Sequence, residues 1–299
     1  MQDSTIEWTD KTWNPVRGCD EIGPGCKNCY AKTFAERWRG VPGHAYEQGF
    51  DLRIAPDKLV EPLRWKNRQR IFVNSMSDLF HKDIPLAYIQ DIAQVMQAAQ
   101  WHTLQVLTKR SSRMRTLLNG SLQGAAEAPN IWWGVSVEDR KHGLQRLQHL
   151  REATHARVRW LSIEPLLEDL GEIDLEGING VVVGGESGPR ARPMQEEWVQ
   201  NILRQCEEQH VPFFFKQWGG KNKKKTGRRL NGKLYNEQPP TSPFTPISYK
   251  DRQDLIKQFI PRIEYWKGRT DLEDLVFRKP EEKLQELGTE RLSAASRDK

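Results

Sequence analysis

The chain has 299 residues, 37% of them hydrophobic and 29% charged, and its formal net charge of +6 corresponds to a pI of about 9.1. This length suits one large barrel or two modest domains, and the excess of lysine and arginine permits an anionic partner. No apolar run approaches the ~18 residues of a membrane span. The N-terminal residues lack the basic and apolar regions of a signal peptide, so none is expected.

Predicted strands and helices alternate along the first 220 residues. Short runs rich in β-branched and aromatic residues predict strands at 12–17, 70–74, 103–108, 131–136, 159–163, 180–184 and 211–216. Amphipathic patterns predict helices at 85–99, after Asp139 and at 195–209, where Cys206 falls on the apolar face as a buried core thiol. Apolar strands alternating with helices indicate an α/β fold, a partial or complete TIM-type barrel of six or seven βα units.

Polar residues follow six of these strands. They lie at 74–78, 108–110, 136–139, 162–165, 184–187 and 216–218. Strand ends ordinarily meet solvent, and Asp139 alone is explained as a helix cap. Because the active site of a TIM-type barrel lies at the C-terminal ends of its strands, six polar ends in register predict a shared cleft.

Three of the four cysteines, Cys19, Cys26 and Cys29, form a C-x6-C-x2-C loop. Thiolates select zinc, iron–sulfur clusters or Cu(I), and three ligands predict a centre with one open coordination position. A zinc site would need a fourth ligand, for which His44 and His81 are candidates, and unliganded thiols are a third interpretation. So few cysteines do not suggest a disulfide framework, and the clustered thiols indicate a reduced, cytoplasmic protein.

A cysteine loop after the first strand of a partial barrel resembles the radical S-adenosylmethionine (SAM) superfamily. The usual motif there is C-x3-C-x2-C; the first gap here is wider, whereas the C-x2-C half followed by Tyr30 and a helix fits. More narrowly, segments 13–15, 25–31, 162–166 and 184–188 resemble a phage- and bacterium-encoded, three-cysteine, radical-SAM-like family of unassigned function. The resemblance covers about residues 6 to 220.

The resemblance implies a [4Fe-4S] cluster on Cys19, Cys26 and Cys29, with SAM chelated to the fourth iron. A one-electron reductase or flavodoxin-type donor would drive cleavage of SAM to methionine and a 5′-deoxyadenosyl radical, which abstracts hydrogen from the substrate. The strand ends would then hold SAM. The implied cofactor-binding residues are Ser75, Ser77 and Asp78 for the methionyl amine, Lys109 for a carboxylate or phosphate, Ser136 and Glu138 for ribose, Glu164 in the same mouth, and Gly184, Gly185 and Glu186 near adenine.

Each of these residues also has a purely structural explanation, which is an alternative to cofactor binding. Asp78 suits the start of a helix, Glu164 suits an ion pair with Lys109 or Arg110, and glycines are common in tight turns.

A basic segment follows the last predicted strand. Residues 216–233 contain eight lysines and arginines and no acidic residue. Such a segment can bind phosphates through counterion release, although a solvated basic loop is the alternative. The candidate nucleic-acid-binding residues are Lys221, Lys223, Lys224, Lys225, Arg228 and Arg229. A boundary is expected near residue 238, between the barrel (1–238) and a linker with a helical C-terminal extension (239–299).

These features favour a radical SAM enzyme that modifies or repairs a nucleotide or a nucleic acid. The same chemistry on a peptide or small molecule is a second hypothesis. A third is a non-catalytic, metal-stabilised nucleic-acid-binding protein.

Overall fold

A computed structural model describes residues 4–245 and 247–269, in which strands and helices alternate. The strands are β1 (Lys11–Trp13), β2 (Val16–Arg17), β3 (Arg53–Ile54), β4 (Arg70–Val73), β5 (Thr103–Thr108), β6 (Ile131–Ser136), β7 (Val158–Ile163), β8 (Gly180–Gly184) and β9 (Phe213–Gln217). The α-helices are α1 (Tyr30–Glu36), α2 (Glu61–Arg64), α3 (Leu86–Ala98), α4 (Ser111–Leu118), α5 (Gln123–Ala126), α6 (Arg140–Arg151), α7 (Glu196–Glu208), α8 (Lys223–Thr226) and α9 (Tyr249–Lys267).

Seven strands form one parallel sheet in the order β1-β4-β5-β6-β7-β8-β9. The sheet is curled and has two edges, β1 and β9, in the part of the chain that the structure describes, so the barrel is partial. The predicted α/β, TIM-type fold is confirmed. The predicted strand at 12–17 is divided, because Pro15 lacks an N–H for the ladder and the Asn14 side chain accepts bonds from the Met76 amide (2.9 Å) and the Ser75 hydroxyl (3.2 Å).

The two faces of the sheet have separate cores. The outer core packs against the helices and includes Phe213 and Phe215, whereas Phe214 points to the inner face. The inner core, which fills the half-barrel, consists of Trp8, Phe72, Trp132, Trp160, Val182 and Phe214. Since Trp8 packs on Phe72 and Trp160 at ring distances of 4.7 and 5.1 Å, the N-terminal segment covers the inner face below the C-terminal strand ends.

The C-terminal helix α9 docks on the outside of the barrel. Trp266 donates to Asp91 of α3 at 2.7 Å and packs edge-on against Tyr88, and Arg262 pairs with the same Asp91. The predicted helical extension is therefore present to Lys267, and its part from residue 270 onward lies outside the described residues. Within the described ranges, no helix is long and apolar enough to cross a membrane.

Candidate active site

A cavity of about 460 Å³ lies at the C-terminal ends of the strands, a volume within the range of small-molecule sites. All three loop cysteines line it. So do all the predicted cofactor-binding residues except Glu138 and Gly184. The predicted shared cleft thus has a physical counterpart, and the site residues that line it are Ser75, Ser77, Asp78, Lys109, Ser136, Glu164, Gly185 and Glu186.

The backbone of the cysteine loop is fixed beside the cavity. Gly18 has a φ of +77°, and a Cβ there would lie 2.2 Å from the Asp51 carbonyl oxygen, so only glycine fits before Cys19. Cys26 ends a short 3-10 turn, and Cys29 precedes α1, where its carbonyl accepts from the Thr33 amide at 3.1 Å. These turns bring the three thiols to the same cavity.

The three thiol sulfurs are spaced more widely than the ligands of a single metal ion. Among residues 4–245 and 247–269, the potential ligand atoms that all lie within 4.8 Å of one another belong to Asp20, His81 and Asp83, and not to the three cysteines. A tetrahedral zinc with Zn–S bonds of about 2.3 Å would hold its sulfurs about 3.8 Å apart. Three thiols spread around one cavity fit a larger cluster, in which each binds a different iron.

Neither candidate histidine joins the thiols as a fourth ligand. The Nε2 of His81 lies 3.0 Å from an Asp20 carboxylate oxygen. His44 stacks on Trp38 at 4.1 Å, and its Nδ1 accepts from the Tyr46 amide. The residues around the loop therefore favour the cluster over the zinc interpretation.

Cys19 lies in an electrostatic network with Asp78 and Arg110. One Arg110 nitrogen is 3.3 Å from the Cys19 sulfur and 3.1 Å from an Asp78 oxygen. Burial first, and the Asp78 charge second, raise the pKa of Cys19 to about 11, although Arg110 opposes the shift. Metal ligation replaces the thiol proton, so bound iron would hold Cys19 as a thiolate despite this pKa.

Asp78 joins the ends of β4 and β5. It accepts from the Thr108 hydroxyl at 2.6 Å and from the Lys109 amide at 3.1 Å. The helix-start explanation of Asp78 is wrong, because α3 begins only at Leu86. The nearby Ser77 hydroxyl donates to the Val16 carbonyl at 2.8 Å, so both residues have local partners.

Glu138 lies beneath the cysteine loop rather than in the cavity lining. Its carboxylate, 1% exposed, pairs with Lys109 at 2.7 Å and with Arg146. Burial opposes ionisation, yet the charges of Lys109 and Arg146 hold the pKa of Glu138 below its ordinary value. A Cβ on Gly25 would lie 2.3 Å from this carboxylate, so the loop backbone rests on an ionised, doubly paired Glu138.

The ion-pair partner predicted for Glu164 was wrong. Glu164 pairs with Lys216 of β9 at 3.0 Å and accepts from the Ser162 hydroxyl at 3.1 Å. Lys109 pairs with Glu138 instead, and Arg110 with Asp78. Glu164 packs so closely on Gly184 that a Cβ there would lie 2.5 Å from a carboxylate oxygen. Gly184 thus makes room for Glu164 and does not itself line the cavity.

Glu186 ties the cysteine loop to the end of β8. Its carboxylate pairs with Arg192 at 2.6 Å and accepts from the Asn28 side chain at 2.9 Å. Arg192 also donates to the Pro24 carbonyl at 2.9 Å. Glu186 and Arg192 therefore bind both ends of the segment that carries Cys26.

Asn74 is a site residue that the sequence did not single out. It is 1% exposed and lines the cavity, with a φ of 59°. Its Oδ1 accepts from the Val16 amide, which fixes the orientation of the side chain, and its Nδ2 has no partner in the described structure. An unpaired, buried donor in the cavity that the three thiols also line suits an acceptor group of a bound ligand.

The basic segment is folded rather than a loose loop. Lys223 lines the cavity and pairs with Glu7 at 3.1 Å. Arg228 lies over the ring of Phe214 and donates to the Phe215 carbonyl, so its guanidinium stabilises β9. Lys221, Lys225 and Arg229 are not cavity-lining; the side chain of Lys224 lies outside the described structure.

Comparison with known proteins places the chain in a family. A family model described as "Protein of unknown function (DUF5131)" matches residues 3–239, and the chain belongs to that family. No curated protein matches it.

Solved structures of spore photoproduct lyase show a distant likeness. A complex with dinucleoside spore photoproduct has 13% identity and a TM-score of 0.42, covering 69% of this chain and 63% of that chain. A single-site mutant with the same ligand has 14% identity, the same TM-score and the same coverage. A double mutant with bound AdoMet and dinucleoside spore photoproduct has 13% identity and a TM-score of 0.37, covering 64% and 59%. The chain thus spans less than two thirds of these proteins.

Proposed function

We propose that this protein is a radical SAM-type enzyme that modifies or repairs a nucleotide or a nucleic acid. The observation that carries the proposal is the shared cavity of three thiols and the unpaired Nδ2 of Asn74. In this proposal Cys19, Cys26 and Cys29 hold a [4Fe-4S] cluster with one open iron, and SAM occupies the adjoining cavity. When bound, the cluster supplies the electron for reductive cleavage of SAM, and a flavodoxin-type or other one-electron donor supplies it in turn.

The residues of this chain bind and orient the reactants. Asn74 donates to the SAM carboxylate, and the Arg110 guanidinium lies against Cys19 and balances negative charge at the thiolate end of the cavity. The aromatic floor formed by Trp8 and Phe72 keeps water from the reacting groups, which protects radical chemistry from quenching.

The charge of the basic segment supports a phosphate-containing substrate. Lys223 reaches the cavity, and residues 216–233 contain eight lysines and arginines and no acidic residue, although Lys216 pairs with Glu164 and Lys223 with Glu7. Phosphates approach such a surface through long-range attraction and counterion release. We therefore propose a nucleotide or a nucleic acid as the substrate and a flavodoxin-type protein as the electron donor. We also propose that the chain is related to the phage- and bacterium-encoded, three-cysteine, radical-SAM-like proteins.

The test is SAM cleavage by anaerobically reconstituted protein. With dithionite as reductant, the wild type is expected to release 5′-deoxyadenosine and methionine, measured by liquid chromatography and mass spectrometry. Cys26→Ala should abolish both products. Cys206→Ala is the matched control, because Cys206 is buried in α7 away from the loop, and it should keep the wild-type yield.

Equal product from Cys26→Ala would overturn the proposal. Zinc at about one ion per chain, with salt-sensitive nucleic-acid binding and no SAM cleavage, would favour the metal-stabilised binding protein instead.

A further inference from the structure

A β-bulge at Lys216 turns Gln217 towards the cavity. Val183 pairs with Phe215 and Gly184 pairs with Gln217, so Lys216 is an extra residue in β9. In a regular strand Gln217 would face outward with Phe213 and Phe215, which pack in the outer core. Instead, Lys216 and Gln217 both line the cavity. Bulges next to active sites commonly redirect a side chain in this way.

The amide of Gln217 is oriented by its neighbours. Its Nε2 donates to the Gly185 carbonyl at 3.1 Å and to the Ser187 hydroxyl at 2.5 Å. A carbonyl only accepts, so this contact identifies the nitrogen and leaves Oε1 as a free acceptor. Oε1 is shielded from water and has no partner in the described structure. Gln217 as a whole is 6% exposed, and a buried acceptor of this kind calls for a ligand donor.

Aromatic side chains line the same cavity as Gln217. Phe214, on the inner face of the same strand, belongs to one cluster with Trp8 and Phe72, and the last two line the cavity. A planar group can lie on such a surface while an N–H on its edge reaches a fixed acceptor.

We propose that Gln217 is a specificity-determining residue that accepts a hydrogen bond from an N–H of a substrate nucleobase lying on Trp8 and Phe72. This inference deepens the proposed function, on which its substrate class rests. It assigns recognition of the base edge to Gln217 at the end of β9, whereas Asn74 follows β4.

The test is a double-mutant-type cycle that measures binding only, with one change in the protein and one in the nucleoside. The four common 2′-deoxynucleosides, and counterparts methylated at the ring N–H or dimethylated at the exocyclic amine so that no N–H donor remains there, are titrated into the full chain with SAM present, with binding followed by calorimetry. At least one nucleoside should bind. Both its methylation and Gln217→Leu should weaken binding about tenfold or more. The two losses should not add, because each removes the same hydrogen bond.

Gln205→Leu is the matched control. Gln205 is a buried glutamine of α7 whose Nε2 also donates to a glycine carbonyl, that of Gly171, but it does not line the cavity. It should bind the nucleoside like wild type, and thermal melting verifies that each variant is folded.

No nucleoside binding by wild type, or equal binding by Gln217→Leu, would overturn the inference. Additive losses would overturn it too. SAM cleavage is measured separately: a protein that cleaves SAM but fails this cycle retains the proposed chemistry and loses only the role of Gln217. A protein that passes the cycle without cleaving SAM retains the nucleobase site and loses the radical chemistry.

Discussion

The backbone of Gly25 lies against the carboxylate of Glu138, with only 2.3 Å between an added Cβ and Oε1. This contact helps to hold the cysteine loop over the strand ends. Arg110 of the β5 end contacts Cys19, and Glu186 beyond β8 binds Asn28. Polar groups after β5, β6 and β8 thus position the three thiols of the cysteine loop.

Gly25→Ala should therefore displace the loop. The added methyl group meets a buried carboxylate that is already held by Lys109 and Arg146, so we expect overpacking to cost about 1–3 kcal/mol in the free energy of unfolding. Iron and sulfide per chain after reconstitution should fall with it. Gly23→Ala is the control in the same loop, since its φ of 176° is extended and its nearest neighbour, an Arg146 nitrogen, is 3.4 Å away. Equal iron contents in the two variants would show that the contact does not position the loop.

Arg192→Ala should loosen the second support of the loop. It removes the ion pair to Glu186 and the bond to the Pro24 carbonyl, so we expect a lower iron content and faster loss of iron to a chelator. Arg190→Ala is the comparison, because Arg190 is exposed and contributes only its backbone carbonyl to Asn28. If both variants release iron at the wild-type rate, Glu186 and Arg192 have no role in holding the cluster loop.

Asn74→Asp tests the assignment of the cavity end next to the thiols. Aspartate keeps an acceptor for the Val16 amide and tolerates a positive φ, but replaces the unpaired donor by an oxygen. We expect SAM affinity, measured by equilibrium dialysis on reconstituted protein, to fall about tenfold or more. Unchanged SAM affinity in a variant that melts like wild type would exclude Asn74 as a SAM contact.

His102 predicts a pH dependence of stability. Its Nδ1 accepts from the Gln69 amide at 3.1 Å and its Nε2 lies 3.1 Å from the Pro62 carbonyl, which fits a neutral ring. Burial lowers the pKa of His102 from 6.5 to about 4. The unfolded chain therefore binds a proton between pH 6.5 and 4 that the folded chain does not. The stability contributed by this site is complete above that window and falls as the pH is lowered through it.

Urea unfolding between pH 7.5 and 4.5 measures the effect. The loss at His102 should reach up to about 3 kcal/mol, and His102→Gln should remove that part of the pH dependence. His155→Gln is the comparison, because His155 is only half-buried and this variant retains His102, so it should still show the part of the pH dependence that His102→Gln loses. Identical profiles for wild type and His102→Gln would show that His102 is not the group that titrates.

Sequence patterns defined most of the sheet because its strands are buried on both faces. Continuous runs of β-branched and aromatic residues predicted β5, β6 and β8 to the residue, and Asp139 caps α6 through the His142 amide as expected. The position of Cys206 in the core was also predicted correctly. These features depend on local composition and periodicity, which a sequence displays directly.

The charge partners at the strand ends depend on tertiary neighbours instead. Glu164 pairs with Lys216 because β7 and β9 lie on either side of β8 in the sheet. Lys109 pairs with Glu138 because the ends of β5 and β6 are adjacent. The bulge at Lys216 has no sequence signature. The alternation of a regular strand would therefore place Gln217 on the outer face, whereas the structure places it in the cavity lining. Unpaired atoms on Asn74 and Gln217 become visible only when every other contact has been placed.

Low-temperature EPR of anaerobically reconstituted, reduced protein, recorded with and without SAM, tests the central proposal most directly. We predict a [4Fe-4S]+ signal that changes shape when SAM is added, because SAM would bind the iron that the three cysteines leave open. Loss of the signal in Cys26→Ala and its retention in Cys206→Ala would assign the cluster to the loop. Protein with no such signal and about one zinc per chain would contradict the radical SAM assignment.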